Sequence, residues 1–163
     1  MDRLWSPWRY QYLKRGPAGE GGCIFCRIFE AEDDEANLVV HRAQENFVVL
    51  NRYPYTNGHA MVVPNRHLGT LEESPRSTLE EMIGLTQRLE AALRKLYRPA
   101  GVNIGMNIGE AAGAGVAGHV HMHALPRWVA DSNFMTVVGE TRVLPEELSV
   151  TWQRLRGEFQ RSI

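Results

Sequence analysis

His119-Val120-His121-Met122-His123-Ala124-Leu125 is the stretch on which the fold turns. Three histidines alternate with apolar residues, which is the period-2 pattern of a half-buried β-strand. On a strand the three imidazoles share one face at roughly 6.6–6.8 Å spacing. Val120, Met122 and Ala124 then face a core on the other side. Ala111 to Gly118, directly upstream, is glycine-rich and can offer backbone N–H groups to a phosphate without side-chain obstruction. A solvated edge-strand face is the plain alternative. Two functional readings compete with it: a metal site built on His-x-His, and a nucleophilic imidazole flanked by two others. Neutral imidazole is a competent nucleophile near pH 7, given its ordinary pKa of about 6.5. Joined to the glycine loop, the aligned histidines favour phosphate chemistry.

Outward from this strand, short β-rich runs at Leu38–His41, Asn46–Leu50, His59–Val63 and Asn103–Ile108 predict four more strands. Pro54, Asn57 and Gly58 mark a turn between the second and third. One long helix lies between the third and fourth. Pro75 suits its first turn, Ser77-x-x-Glu80 resembles a capping box, and Pro99 ends it. Leu79, Met82, Ile83, Leu89, Leu93 and Leu96 recur along it at helical spacing, as core or as a dimer surface. Glu146–Gln160 predicts a C-terminal helix. The order β-β-β-α-β-β gives an α+β class, one antiparallel sheet with a helix across one face.

The chain has 163 residues, 18 Lys+Arg against 19 Asp+Glu, six His and two Cys. That length builds one domain with a substantial core. The near-zero charge excludes a nucleic-acid binder working by bulk electrostatics. The N-terminus lacks an apolar run of signal-peptide length, and no segment approaches ~18 consecutive apolar residues. The expected compartment is the cytoplasm, with no membrane and no nucleic-acid partner. Thiols stay reduced there, so Cys23-Ile-Phe-Cys26 reads as a metal or redox pair or as two inert buried thiols. A thioredoxin-like pair lacks its βαβ context. Zinc needs two further ligands, and neither His67 nor His119 has local zinc-finger spacing, so the fold would have to assemble the site. His41 reads as a solvated turn residue. Trp5, Trp8 and Tyr10 form an aromatic arm suited to packing, and Phe47 and Val49 read as strand core.

His119–Leu125 fits the histidine-triad pattern, His-φ-His-φ-His-φ-φ, at every position, and the chain resembles that family. Asn51 to Pro64, Arg66-His67 and Asn103 to Asn107 are similar to its ribose-binding strand and turn and their flanks. Leu4 to Arg9, Pro126 to Trp128 and Asn133 to Met135 resemble a bacterial branch similar to diadenosine tetraphosphate phosphorylases. The resemblance implies a five-stranded HIT-like fold and a single domain over residues 1–163. Residues 1–22 form an arm and glycine-rich connector, and residues 129–163 a C-terminal extension. It implies cleavage at the α-phosphate of an adenosine nucleotide through a nucleotidyl-imidazole intermediate. Carried over, the nucleophile is His121, with His123 beside the phosphate as the second catalytic residue. Asn51 then hydrogen-bonds the ribose, His59 lines the site, and Asn107 holds phosphate or the loop. Gly115 and Val116 contribute to nucleotide binding. Many dinucleotide-cleaving members carry Gln or Ser where this chain has Gly115. Some members bind a structural zinc, which here gives the ligand set Cys23, Cys26, His67 and His119. Members are usually homodimers. Two other classes stand against the enzyme reading: a non-catalytic zinc- and nucleotide-binding regulatory module, and a metal-dependent hydrolase with zinc on all three triad histidines.

Overall fold

The computed structural model describes residues 22–131 and 144–161. The aromatic arm and the Asn133–Met135 segment lie outside the described residues. Five strands form one antiparallel sheet: β1 (Val39–Arg42), β2 (Asn46–Leu50), β3 (Ala60–Pro64), β4 (Gly101–Gly105) and β5 (Met122–Arg127), in spatial order β1-β2-β3-β5-β4. The α+β class and the sheet are as the sequence predicts. Among the described residues three α-helices accompany it, α1 (Ile24–Glu30), α2 (Arg76–Tyr97) and α3 (Leu148–Arg161), with a single 3-10 turn at Glu110–Ala112. No helix among the described residues is long and apolar enough to cross a membrane.

β2 and β3 are buried at every position because both faces of the sheet are covered. On one face Val48, Leu50, Ala60, Val62 and Ala124 meet Met82, Leu85, Leu89 and Leu93 of α2 and Trp152, Leu155 and Phe159 of α3. On the other, Phe47, Val49, Met61 and Val63 pack on Phe25 of α1, with Val116 of the glycine loop alongside. Alternation along a strand thus sends successive apolar residues to two different cores.

Several expectations are corrected. The capping box does not form: Pro75 is the N-cap, no side chain caps the helix, and Glu80 pairs with Arg76 instead. On the stripe read as core or dimer surface, Ile83 is 59 % exposed and so is not core in the single chain. β5 begins at Met122 rather than His119 and runs to Arg127. The backbone just before it is tied elsewhere, for His119 N–H donates to the Val116 carbonyl (3.4 Å) and Val120 N–H to the Leu68 carbonyl (2.8 Å). Met122 is only half-buried, whereas Val120 and Ala124 are core as expected. His41 is half-buried against the Phe159 ring at 5.5 Å, not a solvated turn residue.

The turn into β3 is seated on α2. Gly58 has φ +77°, and a Cβ there would lie 3.0 Å from both Leu93 and Tyr97, so glycine meets a conformational and a steric need at once. Tyr97 in turn donates its hydroxyl to Glu146 (2.6 Å), which also accepts from Thr151 and pairs with Arg154. Burial and the Glu146 bond push the Tyr97 hydroxyl up to about 12. Burial alone would raise the Glu146 carboxyl; its three donors hold it below the usual range. An acid-lined cleft at Glu32–Glu35 lies against Trp152 and Arg156, where Asp34 is paired with Arg42 (2.8 Å) and Arg156 (3.0 Å).

Candidate active site and metal centre

His123 sits on β5 opposite Met61 of β3, and cross-strand partners share a face, so it faces the side covered by α1. His121 follows the glycine loop on the same side, its ring 4.8 Å from that of His123. His59, 1 % exposed at the entry to β3, completes a three-imidazole row with its ring 5.1 Å from His123.

The hydrogen bonds assign the tautomers, because a backbone N–H can only donate. Tyr55 N–H donates to His59 Nδ1 (3.1 Å), so the neutral His59 carries its proton on Nε2. That proton is donated to His123 Nδ1 (2.9 Å), which places the His123 proton on Nε2. His121 donates its Nδ1–H to the His119 carbonyl (2.8 Å), leaving a lone pair on Nε2. Asn51 is fixed beside this row: its Oδ1 accepts from Tyr53 N–H (2.9 Å), and its Nδ2 lies 3.3 Å from His59 Nδ1.

Burial favours the neutral form of His121 and His123. It pushes His123 down to about 4, with the nearby His121 adding to the effect. Burial also lowers His121, opposed by its bond to the His119 carbonyl. His41, outside the site, is lowered by burial and then by Arg88 and Arg156, against Glu81. In the unfolded chain these groups titrate near 6.5. As pH falls from about 6.5 towards 4, the unfolded state binds protons that the folded state refuses, so stability is lost through that window. The melting temperature is expected to be flat above pH 7 and to fall by about 5–10 °C on going to pH 4.5. Thermal melts across this range check it; a melting temperature that rises on acidification would contradict the neutral assignment.

The second cluster lies at the other end of the same segment. Cys23 is the N-cap of α1 and Cys26 sits on its first turn. His119 Nδ1 lies 3.3 Å from Cys23 Sγ and 3.8 Å from Cys26 Sγ, and His67 Nδ1 lies 3.4 Å from Cys26 Sγ. All four donor atoms fall within 4.8 Å of one another. Zn–S near 2.3 Å and Zn–N near 2.0 Å put adjacent donors of a tetrahedron about 3.3–3.8 Å apart, so the residues fit zinc. His119 is already oriented for it, since its Nε2–H donates to the Pro64 carbonyl (3.0 Å) and frees Nδ1. Burial and the adjoining Cys23 sulfur push the Cys26 thiol up, because a thiolate there would stand against a second sulfur. Burial lowers His119 as well, followed by His67 and His121.

The structure thus brings together every metal-candidate residue, and groups His59, Asn51, His121 and His123. Val116 packs beside them on Phe25's cluster, and Gly115 is exposed in the loop. Asn107 is half-buried just after β4, with no hydrogen bond to the histidines among the described contacts. Sequence reasoning missed α1, and with it Phe25, whose ring lies 4.9 Å from His121. The apolar pairs Ile24-Phe25 and Ile28-Phe29 at four-residue spacing are the signal that marks it.

Comparisons with known proteins agree with this geometry. A family model described as "HIT domain" matches residues 32–129. The chain is 38% identical over 168 residues to an AP-4-A phosphorylase of Mycobacterium tuberculosis, covering 99% of this chain and 86% of that protein. It is 29% identical over 119 residues to an adenylylsulfatase of Arabidopsis thaliana, covering 69% of this chain and 59% of that protein. A zinc-bound histidine triad family protein from Mycobacterium smegmatis superposes with a TM-score of 0.71 at 27% identity, covering 88% of this chain and 97% of that one. With the triad, the sheet and these similarities in agreement, the chain belongs to the HIT family.

Proposed function

We propose that the protein is a nucleotidyl hydrolase or transferase that cleaves at the α-phosphate of an adenosine nucleotide. The substrate class is a dinucleoside polyphosphate or a nucleoside phosphoramidate. The observation that carries this is the His121 tautomer: Nδ1–H is held by the His119 carbonyl and Nε2 is left with its lone pair. His121 Nε2 attacks the α-phosphorus, an N–P bond forms, and the bond to the leaving group breaks. A second nucleophile then attacks phosphorus and releases His121. Splitting the displacement in two lowers the barrier of each step. His123, neutral and protonated on Nε2 by the His59 relay, donates a hydrogen bond to the phosphoryl oxygens. In this reading Asn51 hydrogen-bonds a ribose hydroxyl, and Asn107, Gly115 and Val116 contribute to nucleotide binding at the glycine loop. Gly115 offers only its main-chain N–H there.

We assign Cys23, Cys26, His67 and His119 to a structural zinc. Bound there, the metal ties the N-terminal segment to the triad segment with all four positions filled by protein. Residues 1–163 act as one HIT domain in this reading, in the cytoplasm and without nucleic acid or membrane as partner. Exposed Ile83 on α2 and Ile104 on β4 support a homodimer as the working form.

The name of the mycobacterial relative favours inorganic phosphate as the acceptor. The test is a panel of diadenosine polyphosphates and adenosine phosphoramidates, run with and without phosphate. ADP and ATP from diadenosine tetraphosphate, formed only with phosphate, are expected. AMP and ATP would make water the acceptor. Tight AMP binding with no turnover of any substrate would replace the enzyme by a regulatory nucleotide-binding module.

A further inference from the structure

Phe25 stands between the two cysteines in sequence, and its ring contacts two of the triad histidines. It lies 5.4 Å from the His119 ring, edge-on at 74°, and 4.9 Å from the His121 ring, tilted at 51°. Phe25 and His121 are each only 4 % exposed. Phe25 itself is fixed from behind by Val39, Phe47, Val49, Met61 and Val63. Its backbone belongs to the first turn of α1, and the cysteines on either side of Phe25 face His67 and His119.

A nucleophilic imidazole must present one nitrogen along one line. His121 has its Nδ1–H bond to the His119 carbonyl, and a single bond leaves the ring able to swing about the bond axis. A buried aromatic ring packed against the imidazole removes that freedom. We propose that Phe25 is a positioning residue that holds the His121 ring in the orientation from which Nε2 reacts. This rests on the reading of His121 as nucleophile. The cysteines on either side give the turn a fixed frame, so the metal site and the reactive ring share one rigid support. Misplacement of a reacting atom by about 1 Å costs on the order of 100-fold in rate. Phe25→Ala opens room for that much movement.

The test uses the metal-loaded protein with Phe25→Ala, Phe25→Val and Phe25→Leu. Metal content, KM and kcat on diadenosine tetraphosphate, and the NMR signal of the His121 Nδ1 proton are measured. In Phe25→Ala, kcat is expected to fall about 10- to 100-fold with KM within about twofold. Metal content should hold, and the Nδ1 proton signal should be lost to faster exchange. Phe25→Leu restores apolar bulk and is expected to recover kcat to within about threefold and to regain the signal. If Phe25→Ala does not fold, Phe25→Val carries the same expectation at the lower end of the range. An unchanged kcat and signal in the truncated variants overturns the proposal, as does activity lost in step with metal or in Phe25→Leu as fully as in Phe25→Ala. If the wild-type protein forms no nucleotidyl-histidine, the reading of His121 fails, and the NMR signal still decides whether Phe25 holds the ring.

Discussion

His121→Asn is expected to lower kcat by at least about 10,000-fold, because no other group can take over the covalent step. The triad neighbours are poor substitutes. His119 has Nε2–H bonded to Pro64 and Nδ1 facing the cysteine sulfurs, and His123 has Nδ1 occupied by His59. AMP affinity should change by less than about threefold, since the uniform binding contacts at Asn51 and the glycine loop remain. Mass spectrometry of a rapidly quenched reaction provides the direct check. A nucleotidyl adduct on His121 in the wild type, absent from the variant, is the expected pair of results. A variant retaining full turnover would remove His121 from the chemistry. Turnover lost together with AMP binding would point to a collapsed pocket instead.

The second large effect concerns the metal. Replacing both Cys23 and Cys26 with serine is expected to destabilise the protein by about 3–5 kcal/mol, or about 10 °C in melting temperature. An isolated zinc finger depends on its metal for about 10–16 kcal/mol. The effect here is smaller because the α2–α3 core folds around residues the metal does not touch. One zinc per chain in the wild type and none in the variant is the expected elemental analysis. Two zinc ions per chain would favour metal on the triad itself. Chelation that stops turnover while the melting temperature stays constant would make the metal catalytic rather than structural.

The sheet was legible because its strands carry unambiguous local signals. Asn46–Leu50 is predicted and observed with identical bounds, while the other strands shift by one to three residues. The three-residue shift at the start of β5 has a tertiary cause: Val120 N–H goes to Leu68 rather than into the ladder. Helix α1 escaped because seven residues give too few turns for a period to register. The gathering of Cys23, Cys26, His67 and His119 was legible only by resemblance. Spacing along the chain carries no information about contacts across 96 residues. The relay from Tyr55 through His59 to His123 starts at a backbone N–H, which any residue type except proline supplies. Residue identities therefore cannot announce it.

The Trp152 indole N–H donates to the Val39 carbonyl (2.8 Å), and Arg156 reaches the same oxygen at 3.1 Å. β1 is an end strand of the sheet, and its register breaks between Val39 and His41. The C-terminal helix therefore acts as a stopper on that margin, filling the acceptor a foreign strand would need. The opposite margin, β4, carries no such stopper among the described residues, and its Ile104 is 45 % exposed. Among the described residues the sheet is thus stoppered at β1 and bare at β4, and such a sheet is extended once, edge to like edge. Strand addition at β4 would then end at a pair, because each outer margin would be a stoppered β1.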